Sequence, residues 1–302
     1  MKKNKVIVIL GPTASGKTKL AVELAKRFNG EIISADSRQV YVGMDIGTGK
    51  DLQEYGKIAC HMIDVVSPKA DFSVGQWQKL AYKAIDDILA RDKTPIVCGG
   101  TGLYISALVE GYQLPETNIS TKKFLELRKK LDKLSLPRLL AKLKRIDLET
   151  YNIIDKNNKR RVQRALEIYY QTGKKKSVQQ IKIKPPYKFL ILGLIWPKEI
   201  LRQRIAERLV ERLEKEGMLE EVKKLHKQGV SWRRLEAFGL EYRWLSWYLQ
   251  KKISYSEMFV GLSQAINNFA KRQLTWFKRD KKIIWLKKSR QAKARARIFL
   301  TK

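Results

Sequence analysis

The stretch Gly11-Pro-Thr-Ala-Ser-Gly16-Lys17-Thr18 determines the fold of this 302-residue chain. It follows the apolar run Val6–Leu10 and precedes a helical pattern at Lys19–Phe28. A G-x-x-x-x-G-K-[ST] segment between a strand and a helix is typical of a phosphate-binding P-loop, whose backbone N–H groups converge on phosphate oxygens. Lys17 adds positive charge near the terminal phosphates, and the Thr18 hydroxyl is a predicted ligand of Mg²⁺. The loop therefore predicts a bound phosphate chain without specifying which compound carries it.

The first third of the chain alternates short apolar runs with helical patterns, which is typical of βαβ units and a parallel sheet. Additional elements are predicted as strands at Glu31–Ala35, His61–Val66, Pro95–Cys98 and Phe189–Trp196, and as a helix at Trp77–Ala90. We therefore predict an α/β fold, a P-loop NTPase-like parallel sheet flanked by helices, formed by residues 1–115 and 189–302.

The remaining segments are predicted to be helical, because their apolar positions are spaced three and four apart. Residues 116–188 are predicted to form a helical insertion subdomain with helices at Phe124–Leu134, Pro137–Leu143 and Arg160–Thr172. The helical C-terminal region is predicted to comprise Glu199–Lys215, Leu219–Gln228, Arg234–Gln250 and Tyr255–Trp276. The basic stretch 287–302 is interpreted as a solvated terminal helix or a frayed end.

The composition excludes several classes of protein. With 44% hydrophobic residues, 9% aromatic residues and 8 Pro, the chain has enough apolar material for a core and is neither disordered nor collagenous. Its two Cys cannot form a disulfide framework or a four-ligand zinc site. The longest apolar runs are far shorter than the roughly 20 residues of a membrane span. We expect a cytoplasmic protein that does not enter a membrane.

The net charge of +33 is unevenly distributed along the chain. Residues 1–115 contain 15 Lys and Arg against 12 Asp and Glu, a balance of +3, whereas residues 116–302 contain 48 against 18, a balance of +30. One interpretation is a Lys-rich composition that only keeps the chain soluble. The segregation of the charge favours a polyanionic partner instead, and nucleic acid over a membrane surface.

Two polar loops are expected to lie beside the P-loop, because the carboxyl ends of parallel strands share one edge of the sheet. The loop after the second predicted strand contains Asp36, and the loop Gly99–Gly102 contains Thr101. An acid at Asp36 is suited to hold Mg²⁺ through water, to act as a general base, or to cap a helix N-terminus. Thr101 offers a hydroxyl to the same site.

Six segments occur in a defined order along the chain: GPTASGKT (Gly11–Thr18), ISADSRQVY (Ile33–Tyr41), MDIGTGK (Met44–Lys50), GGTGLY (Gly99–Tyr104), RRVQRALEIY (Arg160–Tyr169) and AKRQLTWFKR (Ala270–Arg279). This set resembles the tRNA dimethylallyltransferases, the bacterial isopentenyltransferases that modify the adenosine beside the anticodon. The resemblance extends from about Val6 to Leu286. The combination is far more specific than the P-loop alone.

The resemblance implies transfer of a dimethylallyl group from dimethylallyl diphosphate to N6 of adenosine 37, in tRNAs that read codons starting with U. It implies that Lys17 and Thr18 hold the diphosphate and Mg²⁺, that Asp36 accepts the N6 proton, and that Thr101 hydrogen-bonds near the reacting amine or the diphosphate. The implied catalytic residues are Lys17, Asp36 and Thr101. The implied diphosphate-binding residues are Gly11, Thr13, Ala14, Ser15, Gly16, Lys17, Thr18 and Arg208.

The partner implied by the resemblance is the tRNA anticodon stem-loop, gripped by the insertion subdomain of a protein that we expect to be a monomer. The implied tRNA-binding residues are Asp36, Ser37, Arg38, Gln39, Thr101, Arg160, Arg161, Gln163 and Arg164. Without the resemblance, the cluster at 160–164 is interpreted as a solvated basic face. Arg204, Arg208 and Arg212 recur four residues apart, with Glu207 and Glu211 as candidate ion-pair partners.

Two segments depart from the family pattern. Phe238–Arg243 stands where the family usually has G-Y-[KR]-[EQ], and Asp51 stands where a Pro usually follows Lys50. Two other functions remain open on the residues alone: a P-loop small-molecule or nucleoside kinase, and an RNA-binding protein whose P-loop is a nucleotide switch. The large aromatic residues Trp232, Trp244, Trp247 and Trp276 are expected to pack between helices rather than to stack on bases.

Overall fold

The structure is a computed structural model that describes residues 4–114, 122–177, 182–286 and 289–301. Its centre is a six-stranded sheet in the order β3-β2-β4-β1-β5-β6, in which every neighbouring pair is parallel. The strands are β1 Lys5–Leu10, β2 Gly30–Ser34, β3 Cys60–His61, β4 Thr94–Gly99, β5 Lys188–Leu194 and β6 Ile284–Leu286. Every residue of β1, β2 and β4 is buried, as expected for parallel strands covered on both faces. The predicted α/β class and parallel sheet are confirmed.

Helices account for most of the remaining described chain. Before β5 they are α1 Lys17–Phe28, α2 Leu52–Tyr55, α3 Val74–Ala90, α4 Gly102–Glu110, α5 Lys122–Asp132, α6 Leu136–Ile146, α7 Leu148–Ile153 and α8 Lys159–Thr172. After β5 they are α9 Lys198–Glu214, α10 Met218–Lys227, α11 Trp232–Phe238, α12 Leu240–Leu249, α13 Tyr255–Phe277 and α14 Ser289–Thr301. Within the described residues, no helix has both the length and the apolar character needed to cross a membrane.

The chain divides into two compact units. The first comprises Met1–Phe72, Trp77–Ile105 and Pro186–Lys302, and contains the whole sheet. The second comprises Ser73–Gln76 and Ser106–Pro185, with α5 to α8 packed around a separate core of Leu131, Leu139, Leu143, Val162, Ala165 and Leu166. Parts of the predicted insertion, residues 116–121 and 178–181, lie outside the described residues, as do positions 287, 288 and 302 of the predicted basic tail.

Three predicted elements differ from the observed ones for identifiable backbone reasons. The strand predicted at His61–Val66 ends at His61, because Met62 and Asp64 adopt positive φ angles of 66° and 55°. The single helix predicted over Arg234–Gln250 is interrupted at Gly239 and Leu240, whose φ angles are 78° and 40°. Positive φ values cannot continue a strand or a right-handed helix, so the chain turns at both places.

The C-terminal stretch is helical, as one of the two interpretations expected, but one face of the helix is buried rather than solvated. It forms α14, and the methyl groups of Ala292 and Ala296 are fully buried in the core cluster that also contains Ile7 and Leu24. The preceding strand β6 was not predicted, because three residues are too short to give a periodic pattern. The tail is therefore part of the first unit rather than a frayed end.

Candidate active site

The carboxyl ends of β1, β2 and β4 open into one cavity of about 500 Å³ in the first unit. The P-loop follows β1, the Asp36 loop follows β2, and the Thr101 loop follows β4. Of the residues implied by the family resemblance, the cavity brings together Thr13, Lys17, Thr18, Asp36, Ser37, Arg38, Gln39, Thr101 and Arg208. Ala14, Ser15 and Gly16 line an adjoining cavity of about 260 Å³ that shares Lys17, Thr18 and Arg208.

The P-loop has the backbone conformation of an anion-binding turn. Ala14 and Gly16 have φ angles of 59° and 80°, and α1 begins at Lys17 without a side-chain cap. The first amides of a helix are unsatisfied by the helix itself and attract anions. A Cβ atom at Gly11 would lie 2.8 Å from the Ser15 hydroxyl oxygen, so the loop is closed tightly at its base. Among the described residues, none forms a hydrogen bond with the buried Ser15 hydroxyl.

Two cations face the P-loop in a desolvated environment. The Lys17 ammonium donates to the Pro12 carbonyl at 3.4 Å, and the Arg208 guanidinium donates to the Thr13 hydroxyl. Burial lowers the pKa of Lys17, and the nearby Arg208 lowers it further. Burial, followed by the charge of Arg212, lowers the pKa of Arg208 to about 10. A bound anion would relieve the repulsion between the positive forms of these two groups.

The arginine series on α9 has a different role at each position. Arg208 and Arg212 line the cavity, whereas the Arg204 guanidinium lies 4.6 Å from the centre of the Trp196 ring. Arg212 is 4% exposed and pairs with Asp51 at 2.9 Å, not with Glu207 or Glu211. Its guanidinium covers Gly49, where a Cβ atom would lie only 2.5 Å from Nη2. The spacing predicted the series but could not predict that Arg212 lies buried in the cavity wall.

Backbone hydrogen bonds hold the part of the cavity that contains Asp36 and Thr101. Asp36 Oδ1 accepts from the Arg38 N–H at 2.9 Å, and the Thr101 hydroxyl accepts from the Ser37 N–H at 2.9 Å. The Thr101 N–H donates to the Ala35 carbonyl at 3.1 Å. Residues 37–40 form a turn rather than a helix, so the interpretation of Asp36 as a helix cap is wrong. The loop instead contributes Asp36 to the lining of the cavity, which Thr101 also lines.

Arg38 and Gln39 line the cavity but also hold neighbouring segments. The Gln39 amide donates to the Gly49 carbonyl at 2.7 Å, and its oxygen accepts from the Ser34 hydroxyl at 2.7 Å. The Arg38 guanidinium donates through Nε to the Phe238 carbonyl at 2.9 Å. The Gln39 carboxamide and the Arg38 Nε therefore already have hydrogen-bond partners within the protein.

The Met44–Lys50 loop is held by a carboxylate that the sequence analysis did not identify. The N–H groups of Asp45, Ile46 and Gly47 donate to Glu221 at 2.7, 2.6 and 3.1 Å, and the Tyr242 hydroxyl donates to it at 2.7 Å. No periodic pattern links residue 221 to residue 45, so sequence alone gave no signal for this contact.

Lys50 has a structural position rather than a ligand-binding one. It is 0% exposed, and its ammonium donates to the Tyr41 carbonyl at 2.9 Å. The same ammonium pairs with Asp45 at 2.6 Å and with Asp64 at 2.5 Å. A buried charge requires such compensation, so these contacts explain why the loop contains a lysine here.

The divergent segment Phe238–Arg243 forms part of the cavity wall. The turn at Gly239 and Leu240 places Glu241 in the first turn of α12, facing the cavity. Burial raises the pKa of Glu241, against the opposing effect of Arg212 and Arg208. Trp244 packs on Gly261 and also lines the cavity, so its role is not limited to the packing that we expected.

The residues predicted at 160–164 lie in the second unit and do not all face solvent. Arg160 and Arg161 are exposed, and Arg164 pairs with Glu167 at 3.1 Å. Gln163 is 7% exposed, and its amide donates to Asp132 at 2.6 Å. The expected RNA-facing surface therefore consists of the arginines, while Gln163 lies in the interior of the unit.

The donor groups of the cavity suit a magnesium ion held jointly with a phosphate. Mg²⁺ prefers hard oxygen ligands and usually binds through one or two protein oxygens together with substrate phosphates. Thr18 supplies a hydroxyl oxygen to the cavity. In the described part of the chain, no group of three or more His, Cys, Asp or Glu could hold a metal ion. The residues therefore fit a metal that needs the substrate to complete its coordination.

Comparison with known protein families gives the closing observation. A family model described as IPP transferase matches residues 39–280, and one described as isopentenyl transferase matches residues 4–57. The first match alone covers most of the chain. This protein belongs to the IPP transferase family.

Bacterial relatives of this IPP transferase match it over nearly its whole length. It is 47% identical over 297 residues to tRNA dimethylallyltransferase 1 of Syntrophus aciditrophicus (strain SB), covering 95% of this chain and 94% of that protein. It is also 47% identical over 283 residues to tRNA dimethylallyltransferase 2 of Treponema denticola, covering 93% of both chains. The similarity is therefore not limited to the P-loop.

Solved structures of the family share the fold of this IPP transferase. The full-length tRNA isopentenylpyrophosphate transferase of Bacillus halodurans has a TM-score of 0.73 and 35% identity, covering 99% of this chain and 97% of that chain. A eukaryotic dimethylallyltransferase described as acting on tRNA has a TM-score of 0.78 and 31% identity, covering 91% of this chain and 70% of that chain.

Proposed function

We propose that this protein is a tRNA dimethylallyltransferase. It transfers a dimethylallyl group from dimethylallyl diphosphate to N6 of adenosine 37, beside the anticodon, in tRNAs that read codons starting with U, and releases diphosphate. The observation that supports this most directly is the single cavity of an IPP transferase chain in which a cationic P-loop faces Asp36 and Thr101.

The leaving group is the diphosphate, and its departure is the step that most needs charge stabilisation. The two phosphates of the diphosphate would bind at the P-loop. The positive groups there are Lys17, Arg208 and the free amides at the start of α1. Thr18 would hold a Mg²⁺ ion there, and the ion would neutralise negative charge on the leaving group. Fixed cations in a desolvated site stabilise this charge more than they would in water.

The nucleophile is the exocyclic amine of adenine, which is weak because its lone pair is delocalised into the ring. The amine becomes acidic as its bond to the dimethylallyl carbon forms, so a carboxylate within hydrogen-bond reach can accept the proton. Asp36 is suited to this role because its loop is anchored through Arg38, Ser37 and Thr101. The target base has to leave the RNA stack to enter the cavity.

The walls of the cavity suit the apolar dimethylallyl group. Phe238, Trp244, Ile266 and Phe269 line the cavity together with the charged groups. An apolar wall limits the access of water, which would otherwise capture a carbocation-like allyl group. One cavity therefore combines an ionic end for the diphosphate with apolar surface for the group that is transferred.

The charge distribution supports RNA as the acceptor. Residues 116–302 have a balance of +30, and Arg160 and Arg161 are exposed on the second unit. Basic side chains supply the sequence-independent affinity for phosphates, while recognition of the base takes place in the cavity. The proposal includes binding of the anticodon stem-loop by the second unit, action as a monomer, and location in the cytoplasm, where tRNA is modified.

Assays of prenyl transfer, of phosphate transfer to added small acceptors and of tRNA binding separate this function from the two alternatives. For the first assay, the purified protein is mixed with Mg²⁺, labelled dimethylallyl diphosphate and unmodified tRNA, and the RNA is digested to nucleosides. For the second, it is mixed with Mg²⁺, ATP and the small acceptors. N6-alkylated adenosine supports the proposal. Transfer of phosphate from ATP to a small acceptor, without alkylated adenosine, indicates a kinase. Saturable tRNA binding with neither reaction indicates an RNA-binding protein with a nucleotide switch.

A further inference from the structure

One buried side chain bridges two neighbouring loops of the cavity, which follow the paired strands β1 and β4. Gln273 on α13 is 6% exposed. Its carboxamide oxygen accepts from the Thr13 N–H at 2.9 Å, and its nitrogen donates to the Gly100 carbonyl at 2.9 Å. Thr13 belongs to the P-loop, on the leaving-group side of the cavity, where Lys17 and Arg208 lie. Gly100 immediately precedes Thr101, on the acceptor side, where Asp36 and Thr101 lie. One side chain therefore joins the two sides.

The bridge requires both halves of a carboxamide. A Gln side chain has an acceptor and a donor on the same planar group, and the bridge uses one of each. An ionised carboxylate could accept from Thr13 but would face the Gly100 carbonyl with a second acceptor. The contact is also close, since a Cβ atom at Gly100 would lie 2.3 Å from the Gln273 nitrogen. The Gly100 backbone therefore approaches Gln273 as only a glycine can.

The acceptor side continues the bridge as far as the proposed base. The Thr101 N–H donates to the Ala35 carbonyl at 3.1 Å, and the Thr101 hydroxyl accepts from the Ser37 N–H at 2.9 Å. These two contacts hold the residues on either side of Asp36. A continuous series of hydrogen bonds thus connects the P-loop, through Gln273 and the Thr101 loop, to the neighbours of the carboxylate that accepts the proton.

We propose that Gln273 is a positioning residue that sets the distance between the diphosphate-binding P-loop and the Asp36–Thr101 pair. The inference rests on the transfer reaction proposed above. Each loop carries its own binding groups, so each substrate can still bind when the bridge is lost. What changes is the alignment of the amine with the dimethylallyl carbon, and a misplacement of 1 Å lowers a rate by about 100-fold. The effect therefore falls on kcat rather than on the two KM values.

The first test replaces the bridge without changing the volume of the side chain much. Gln273→Met keeps an unbranched chain of similar length and removes both hydrogen bonds. We expect kcat to fall by about 100-fold, with little change in KM for dimethylallyl diphosphate or for tRNA. Thermal unfolding of the same variant, measured by circular dichroism, reports separately any loss of stability caused by the unsatisfied Thr13 and Gly100 groups.

The second test makes the bridge depend on pH. In Gln273→Glu, the protonated carboxyl group can accept from Thr13 and donate to the Gly100 carbonyl, whereas the ionised group cannot. The ratio of variant to unmodified activity should therefore rise as the pH is lowered. Gln264→Glu, the same change at an exposed position of α13, is the matched control and should give a constant ratio. Because this variant preserves the shape of the side chain, it remains informative where Gln273→Met does not fold.

The outcomes distinguish this inference from the proposed function. A reduced kcat in Gln273→Met, or a Gln273→Glu ratio that rises toward acid pH, supports the positioning role. Transfer by the unmodified protein, together with a kcat near normal in Gln273→Met and a pH-independent ratio in Gln273→Glu, overturns it. Absence of N6-alkylated adenosine with the unmodified protein would reject the proposed function, and this inference with it.

Discussion

The two sides of the cavity are built from different kinds of interaction. On the leaving-group side, Lys17 and Arg208 are cations whose pKa values are lowered first by burial. On the acceptor side, Asp36 and Thr101 are held by backbone N–H groups at 2.9 Å. The first side binds an anion through electrostatic attraction. On the second side, hydrogen bonds fix the positions of the functional groups. Substitutions on the first side should therefore change both substrate binding and rate, whereas those on the second should change the rate alone.

The largest expected effect is on the acceptor side. Asp36→Asn removes the proton acceptor and keeps the shape of the side chain, including an oxygen for the Arg38 N–H. We expect kcat to fall on the order of 10³- to 10⁴-fold, while the KM values for both substrates stay near normal. Steady-state kinetics with labelled dimethylallyl diphosphate measures this, with the exposed Asp87→Asn as a control. Normal turnover in Asp36→Asn would exclude Asp36 as the base.

The next effect is on the leaving-group side and should include binding. Lys17→Met removes a cation that interacts with both the bound and the departing diphosphate. We expect kcat/KM for dimethylallyl diphosphate to fall roughly 10²- to 10³-fold. Calorimetric titration with inorganic diphosphate should show weakened binding in Lys17→Met and unchanged binding in Asp36→Asn. Equal loss of diphosphate binding in both variants would contradict the claim that Lys17 contributes to diphosphate binding and Asp36 does not.

The pH dependence of the reaction should distinguish the two sides further. Burial and Arg208 lower the pKa of Lys17, so its positive charge is lost at a lower pH than that of a solvated lysine. As the pH rises through this lowered pKa, diphosphate loses an ionic partner, and kcat/KM for the donor should decline. In Lys17→Arg the decline should move to higher pH, because a guanidinium keeps its charge. An alkaline limb that is identical in both proteins would assign the titration to another group.

The smallest effect is expected at the Met44–Lys50 loop, which Glu221 holds. Glu221 accepts three backbone N–H groups from Asp45, Ile46 and Gly47, and the carbonyl of Gly49 accepts from Gln39. Glu221→Gln replaces one of the two acceptor oxygens with an NH₂ donor, which would face backbone N–H donors. We expect the free energy of unfolding to fall by about 1 to 3 kcal/mol, with a modest loss of kcat.

The neighbouring residue provides the control for this substitution. Glu220 pairs with Lys223 at the protein surface at 2.6 Å, and Glu220→Gln should leave stability nearly unchanged. Urea unfolding of both variants measures the difference. Equal stability of the two variants would show that Glu221 does not hold the loop in solution.

The sequence predicted those parts of the fold and site that depend on local pattern. The P-loop, the buried β1 and the order of strands and helices follow from motif spacing and periodicity, and so does the placement of Asp36 and Thr101 at one edge of a parallel sheet. The helix break at Gly239 and Leu240 was not predicted, because an isolated glycine within a helical pattern is often tolerated and a φ of 40° at Leu240 has no sequence signature. Tertiary packing overrode a continuous helical pattern at that point.

The contacts that complete the site also lay beyond the sequence. Gln273 reaches residues 260 and 173 positions away, and Glu221 reaches Asp45 from 176 positions away. Such pairings are set by how C-terminal helices pack over the sheet edge, and periodicity within one helix carries no information about them. The family resemblance pointed to the segment Ala270–Arg279, but only the folded structure shows that its glutamine bridges two loops.

The most direct measurement maps the product on the RNA and counts the leaving group. Unmodified tRNA and the same tRNA with guanosine at position 37 are incubated with the protein, Mg²⁺ and dimethylallyl diphosphate, and nuclease fragments are analysed by mass spectrometry while released diphosphate is assayed. We predict N6-dimethylallyl adenosine at position 37 alone, one diphosphate released for each alkylated adenosine, and no product with guanosine. Alkylation elsewhere on the tRNA, or diphosphate release without alkylation, would contradict the account.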